Sequence, residues 1–124
     1  MSGPLIYVGR HGIKHGELDR VKKASGELAE FLEANHPREV LFQIAIDEDN
    51  DEMLVVQVHP DEESLLHHVD VAGDRIKSAY EFLESTISID IHGDPSDQVL
   101  ELLDRMAMGA SLRIHPAEAG FSRL

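Results

Sequence analysis

The sequence predicts an α+β fold, a ferredoxin-like βαββαβ core with an antiparallel sheet, extended at its C-terminal end by a further helix and strand. Three observations carry this. Four segments alternate apolar and polar residues over strand lengths. Two long segments with helical apolar spacing separate them, in the order strand, helix, strand, strand, helix, strand. The second and third strands are joined only by the turn-rich link "EDND", which makes them a hairpin.

Residues 4–11, "PLIYVGRH", form the first strand, with Ile6 and Val8 on one side and Tyr7, Gly9 and His11 on the other. Residues 17–34 follow as a helix, because Leu18, Val21, Ser25, Leu28 and Leu32 recur at helical spacing. Gly26 in its middle costs about 1 kcal/mol against Ala and marks either close packing or a weak spot. Pro37 disfavours helical geometry at His36 and ends the helix. The second strand is 39–47, with Val40, Phe42, Ile44 and Ile46 opposite Leu41, Gln43 and Ala45. The third is 52–59, with Leu54, Val56 and Val58 opposite Met53, Val55, Gln57 and His59.

Asp61 caps the next helix, and Glu62 and Glu63 suit its positive end. Its stripe runs Leu65, Val69, Ala72, Ile76 and Leu83, with Gly73 a candidate break. The fourth strand lies in "STISIDIHG", residues 85–93, where Ile87, Ile89 and Ile91 alternate with Thr86, Ser88, Asp90 and His92. Asp94 then reads as a cap and Pro95 as the first position of a helix carrying Val99, Leu102, Leu103 and Met106. "SLRIHP" is a short last strand. All 124 residues read as one domain, with a core at 4–92 and a helix–strand extension at 94–124.

Composition narrows the function. There is no cysteine, hence no disulfide framework or thiolate site. A formal charge of −13 argues against nucleic acid and anionic membrane as partners. No apolar run has the length of a membrane span and the start has no signal-peptide pattern, so a cytoplasmic protein is expected.

With the unbroken aliphatic lines facing the helices, the far face of the sheet collects Tyr7, Gly9, His11, Leu41, Gln43, Ala45, Val55, Gln57, His59, Ser88, Asp90 and His92. That face is too apolar to be wet and too polar for an ordinary core. A symmetric homodimer, its sheets face to face or nearly closed into a barrel, buries it and leaves a partly polar cavity for water or ligand. A solvated face is the alternative. The eight histidines raise the question of a metal. Parallel first and third strands would put His11 and His59 at one edge and His92 at the other, so no three-histidine site forms. His67 and His68 point about 100° apart, and no HExxH-like spacing occurs. No metal and no cofactor are expected.

The segment "REVLFQIAIDEDNDEMLVVQVHPDEESLLHHV", a hairpin running into an acidic helix start and then a histidine, resembles the antibiotic biosynthesis monooxygenase family of dimeric α+β barrels. The resemblance covers residues 4–92. It implies a homodimer with a pocket in each protomer between sheet and helices. Some members oxygenate polycyclic aromatic substrates without metal or flavin, and others degrade haem. Haem-degrading members pair Asn, Trp and His; this chain has no Trp, and Asn35 and Asn50 fall in expected loops, so haem degradation is rejected. Members that oxidise aromatics tend to use Trp with Tyr and Arg. Tyr7 and Arg10 are present, but alternation sends Arg10 to the opposite side from Tyr7 unless a bulge intervenes.

His68 stands at the family's helix histidine. It follows Leu65 by three residues and precedes Ala72 by four, so it points toward the sheet, as a base, as a hydrogen-bond donor, or as a histidine merely bonded to a backbone carbonyl. The function expected is cofactor-independent oxygenation of a small aromatic or quinol. His68, Tyr7 and Asp90 are the catalytic candidates; His11, Gln43, Gln57, His59 and Ser88 are the ligand-binding ones. A non-catalytic small-molecule-binding or structural dimer is the alternative. The C-terminal strand is expected to cover a sheet edge, its own or its partner's.

Overall fold

The computed structural model describes residues 3–123. Its elements are β1 (Leu5–Ile13), α1 (Leu18–Asn35), β2 (Leu41–Asp47), β3 (Glu52–His59), α2 (Glu62–Ala79), β4 (Leu83–His92), α3 (Asp97–Ala107) and β5 (Ser111–His115). They form a five-stranded sheet in the order β2-β3-β1-β4-β5. β1 to β4 pair antiparallel, and β5 adds parallel to β4. α1 lies beside α2, α2 over β3, and α3 over β4 and β5. This is the ferredoxin-like plan with its extension, and the last strand covers the chain's own β4 edge. No helix among the described residues is long and apolar enough to cross a membrane.

Several boundaries differ from the sequence expectation for identifiable reasons. α2 runs unbroken through Gly73, whose missing side chain faces open space. It begins as expected, with the Asp61 carboxylate accepting from Ser64 N at 3.0 Å. It stops at Ala79, and Leu83 belongs to β4. α3 is capped by Ser96 rather than Asp94, the Ser96 hydroxyl accepting from Val99 N. Ser96 N in turn donates to Glu62 at 2.9 Å, which ties the start of α3 to that of α2. Gly26 is exposed with nothing near it, so it is a weak spot and not a close contact.

The main correction concerns which way the central strands face. The register sets Tyr7 opposite both Gln57 and Ile91, and Gly9 opposite Val55 and Ile89. Leu5, Tyr7, His11 and Ile13 of β1 and Met53, Val55, Gln57 and His59 of β3 are therefore buried under the helices. Ile6, Val8, Leu54, Val56 and Val58 face outward. β2 faces as expected, with Phe42 and Ile44 inward, and so does β4 at Ile89 and Ile91; before the register shift β4 is reversed, with Ile87 exposed and Thr86 turned in to His11 and Tyr80. The inward line of β1 carries Leu5 and Ile13 at its ends, so apolar content does not separate its two sides; pairing with β4 does. The core joins these residues to Val21, Leu65, Val99, Leu103 and Ala107 of the helices.

Candidate active site

Because β1 and β3 turn their mixed sides inward, polar groups lie in the layer between sheet and helices. His59 ends β3, and its ring is fully buried. From the first and second turns of α2, Ser64 and His68 approach it. The chain leaving α1 supplies His36, at the helix C-cap, and Glu39. Proton positions follow from what each atom can do. His36 Nε2 donates to the Ser64 carbonyl oxygen at 2.8 Å. The Ser64 hydroxyl donates to His59 Nδ1 at 2.7 Å, and His59 Nε2 donates to Gln57 Oε1 at 2.8 Å. His68 Nδ1 donates to Glu39 Oε2 at 3.0 Å. The other carboxylate oxygen, Glu39 Oε1, lies 3.7 Å from His59 Nε2 and is buried without a hydrogen-bond partner, as is His36 Nδ1.

Burial, reinforced by the His68 and His36 imidazoles, pushes His59 down to about 3, so it is neutral at pH 7. Burial also holds His11 below the ordinary imidazole value. It raises the Tyr7 phenol, with Tyr80 adding to the effect, so Tyr7 is a donor at any physiological pH.

Next to this cluster lies a mostly apolar cavity of about 190 Å³. His68, Gln57, Tyr7 and His11 form its polar wall, and Phe42, Ile44, Val55, Ile76 and Met106 much of the rest. A second cavity of about 430 Å³ lies between α1 and α2 and shares Leu28, Ile44, Met53, Arg75 and Ala79 with the first. Gly9 leaves room for the wall: a Cβ there would stand 2.8 Å from the Tyr7 hydroxyl and 3.1 Å from His11 Nε2. His11 is held by Thr86 Oγ1 at 3.3 Å, which in turn meets the Tyr80 hydroxyl at 2.9 Å. A register shift between β1 and β4 at Arg10/His11 brings Thr86 there. That irregularity leaves Arg10 on the outer face, ion-paired with Glu52.

The sequence candidates thus divide. Tyr7, His11, Gln57, His59 and His68 come together on the helix side of the sheet. Asp90, Ser88 and Gln43 lie on the other side. Asp90 Oδ1 accepts from His115 Nε2 at 2.9 Å, and His115 stacks on His92 at 4.6 Å. The expected strand ends also change. Leu5 pairs with His59 and His11 with Met53, so β1 and β3 are antiparallel and their histidines lie at opposite ends. His92, paired with Ile6, shares the His59 end but not its face. Sequence reasoning passed over His36, Glu39 and Ser64. The available signals were His36 and Glu39 three apart beside a helix-ending Pro37, and Ser64 three after the capping Asp61.

No family model matches the chain, and no curated protein matches it in sequence. Solved structures do match in fold. MupZ from Pseudomonas fluorescens superposes with a TM-score of 0.77 at 17% identity, over 98% of this chain and 95% of its own. A candidate antibiotic biosynthesis monooxygenase from Caulobacter crescentus CB15 gives 0.66 at 16% identity, over 73% of this chain and 88% of its own. Rv0793 from Mycobacterium tuberculosis gives 0.63 at 10% identity, over 77% and 97%. The chain has the fold of the antibiotic biosynthesis monooxygenases. The 98% coverage extends the match with MupZ beyond the core into the α3–β5 extension.

Proposed function

We propose that the inter-layer cavity binds a single-ring phenol or quinol and that the protein oxygenates it with dioxygen, using the His68–Glu39 pair as the base. The observation that carries this reading is the pairing of an imidazole, anchored through Nδ1 by a buried carboxylate, with an apolar cavity that the same ring lines. That arrangement fixes the tautomer and leaves Nε2 to take a proton. The size supports one ring: a dry cavity of roughly 150 Å³ holds benzene, and this one measures about 190 Å³.

In this scheme His68 removes the phenolic proton. The Tyr7 hydroxyl and the Gln57 amide nitrogen donate to the phenolate oxygen. The electron-rich ring carbon passes one electron to dioxygen, recombination forms the C–O bond of a peroxide, and His68 returns the phenolic proton to it, giving a hydroperoxide. His68 then takes the proton on that carbon, the O–O bond breaks to leave a carbonyl and hydroxide, and the hydroxide takes that proton from His68 to become water. One oxygen atom enters the ring and the other becomes water, with all four electrons drawn from the substrate. The apolar walls keep bulk water from the intermediate.

A second copy of the chain covers the outer sheet face in this reading. Val8, Leu54, Val56 and Val58 are only half-buried and Ile6 and Leu41 are exposed, an aliphatic patch over the central strands that suits another such sheet. The likeness to dimeric α+β barrels supports the same arrangement.

The test is oxygen uptake with a panel of monocyclic quinols and phenols. His68→Ala is expected to lower turnover by about 10²–10⁴-fold while binding of the substrate stays within a few-fold. Equal rates for variant and wild type would remove His68 from the chemistry. Saturable binding with no oxygen uptake would select the alternative, a small-molecule-binding dimer.

A further inference from the structure

We propose that Glu39, His59 and His68 form a binding site for a divalent transition-metal ion of the zinc class, entered from the inter-layer cavity. The inference goes beyond the oxygenase reading and stands on its own geometry.

One ligand atom from each of these residues lies within 4.8 Å of the others. Two of the separations, one at each oxygen of the Glu39 carboxylate, lie close to what an ion needs. Two donors on a tetrahedral ion with bonds of ~2.0–2.1 Å stand roughly 3.3 Å apart. Glu39 Oε2 is 3.0 Å from His68 Nδ1, and Glu39 Oε1 is 3.7 Å from His59 Nε2. The residues come from separate places, the chain after α1, the end of β3 and the second turn of α2, so the fold assembles the set. All three side chains are at most 3% exposed. This is not a surface cluster of charge.

A second observation points the same way. Glu39 Oε1 is buried, aimed at His59 and has no hydrogen-bond partner. An unsatisfied buried carboxylate oxygen costs about 1–3 kcal/mol or more, and an ion at this position satisfies it. The surroundings suit a ligand set. Ser64 Oγ, 2.7 Å from His59 Nδ1, is placed to accept a hydrogen bond from Nδ1–H when His59 changes tautomer and frees Nε2 from Gln57. Ser64 is itself fixed by Asp61 and His36. Gln57 and His68 line the cavity, which gives the ion a route in and leaves a fourth position for water. Two imidazoles and one carboxylate favour zinc or its first-row neighbours over calcium and magnesium, which require mostly oxygen ligands.

The ion and the proton shared by His68 and Glu39 compete for the same lone pairs. A bound ion therefore holds His68 as a ligand and blocks its use as a base. In the oxygenase reading the ion is a brake on turnover.

The test titrates the metal-stripped full-length protein with Zn²⁺, and with Co²⁺ for its visible absorption, using Ca²⁺ as the control. The expected result is one Zn²⁺ equivalent per chain, a Co²⁺ spectrum of tetrahedral or five-coordinate type, and a higher Tm with saturating Zn²⁺. Loss of an outer hydrogen-bonding partner alone costs 10–100-fold in many metal sites, so Glu39→Gln and His59→Asn are expected to lose more than ~100-fold in affinity. His115→Ala, on the opposite face, should bind as wild type. Should either ligand variant fold poorly, the wild-type Tm shift decides. No shift with Zn²⁺, or binding lost in His115→Ala and kept in Glu39→Gln, would overturn the site. Binding is read without substrate, so a missing oxygenase activity leaves this result standing and a missing metal leaves that activity open.

Discussion

Both faces of the sheet are mixed at the central strands, unlike an ordinary antiparallel layer, which turns its apolar side in and its polar side to water. Beneath the helices, β1 and β3 present Tyr7, His11, Gln57 and His59, all buried. On the open side the same strands present Ile6, Val8, Leu54, Val56 and Val58. Each face teaches something the other does not. Polar groups inside must be satisfied by one another or by something bound, and Glu39 Oε1 and His36 Nδ1 are not. Aliphatic groups outside gain nothing from water and suit a cover. The proposed function assigns the inner face to a site and the outer face to an interface.

The largest expected effect breaks the outer half of this comparison. Val56 pairs with Val8 on one side and Gln43 on the other, at the middle of the outer face. Val56→Glu leaves a protomer with its charge in water but buries an unpaired charge in a face-to-face dimer. Such a charge costs about 3–5 kcal/mol, and 3 kcal/mol is already more than 100-fold in association. Sedimentation velocity at micromolar concentration should show the wild type as a dimer and the variant as a monomer with unchanged circular dichroism. A wild type that sediments as a monomer would sink the interface.

A smaller effect tests the inner half. His59 is neutral in the folded protein, with its value pushed down to about 3, while an unfolded histidine titrates near 6.5. The folded value is the lower one, so the unfolded chain takes up the proton first. Stability is complete above about pH 6.5 and falls as the pH drops toward 3. The slope is about 1.4 kcal/mol per pH unit, which makes about 2 kcal/mol between pH 7 and 5. Urea denaturation with a chelator present should show that fall. His59→Asn should flatten it. A wild-type profile that is level across this range would mean that the buried imidazole is not held neutral.

How much of this was legible in the sequence depended on whether local pattern or pairing decided the outcome. The bounds of the third strand, 52–59, needed only its alternation, which did not say which side faces in, and the start of α2 needed only Asp61 and a stripe. His68 was legible as an inward residue because Leu65 and Ala72 flank it on that stripe. The facing of β1 was not legible. Ile6 and Val8 on one side are balanced by Leu5 and Ile13 at the ends of the other, and only pairing with Ile89 and Ile91 shows that the side of Tyr7, Gly9 and His11 is inside. Glu39 was invisible for a different reason. It follows a helix-ending proline in irregular chain, and its approach to His68 is a contact across 29 positions that no local period encodes.

The smallest expected effect sharpens the boundary between the two faces. The sequence made Asp90 a candidate base beside Tyr7 and His68, but its carboxylate is on the outer side, paired with His115 and partly open to solvent. Exposed pairs of this kind contribute about 0–1 kcal/mol. Asp90→Asn keeps the shape and removes the charge. It should shift the urea midpoint by less than about 1 kcal/mol and leave the affinity for a monocyclic phenol as in the wild type, whereas a change at Gln57, on the same sheet but the other face, should weaken it. The sheet itself separates the two positions, so a loss of phenol binding in Asp90→Asn comparable to that in Gln57→Leu would mean that the bound molecule is on the outer face, between two copies of the chain, and not under the helices.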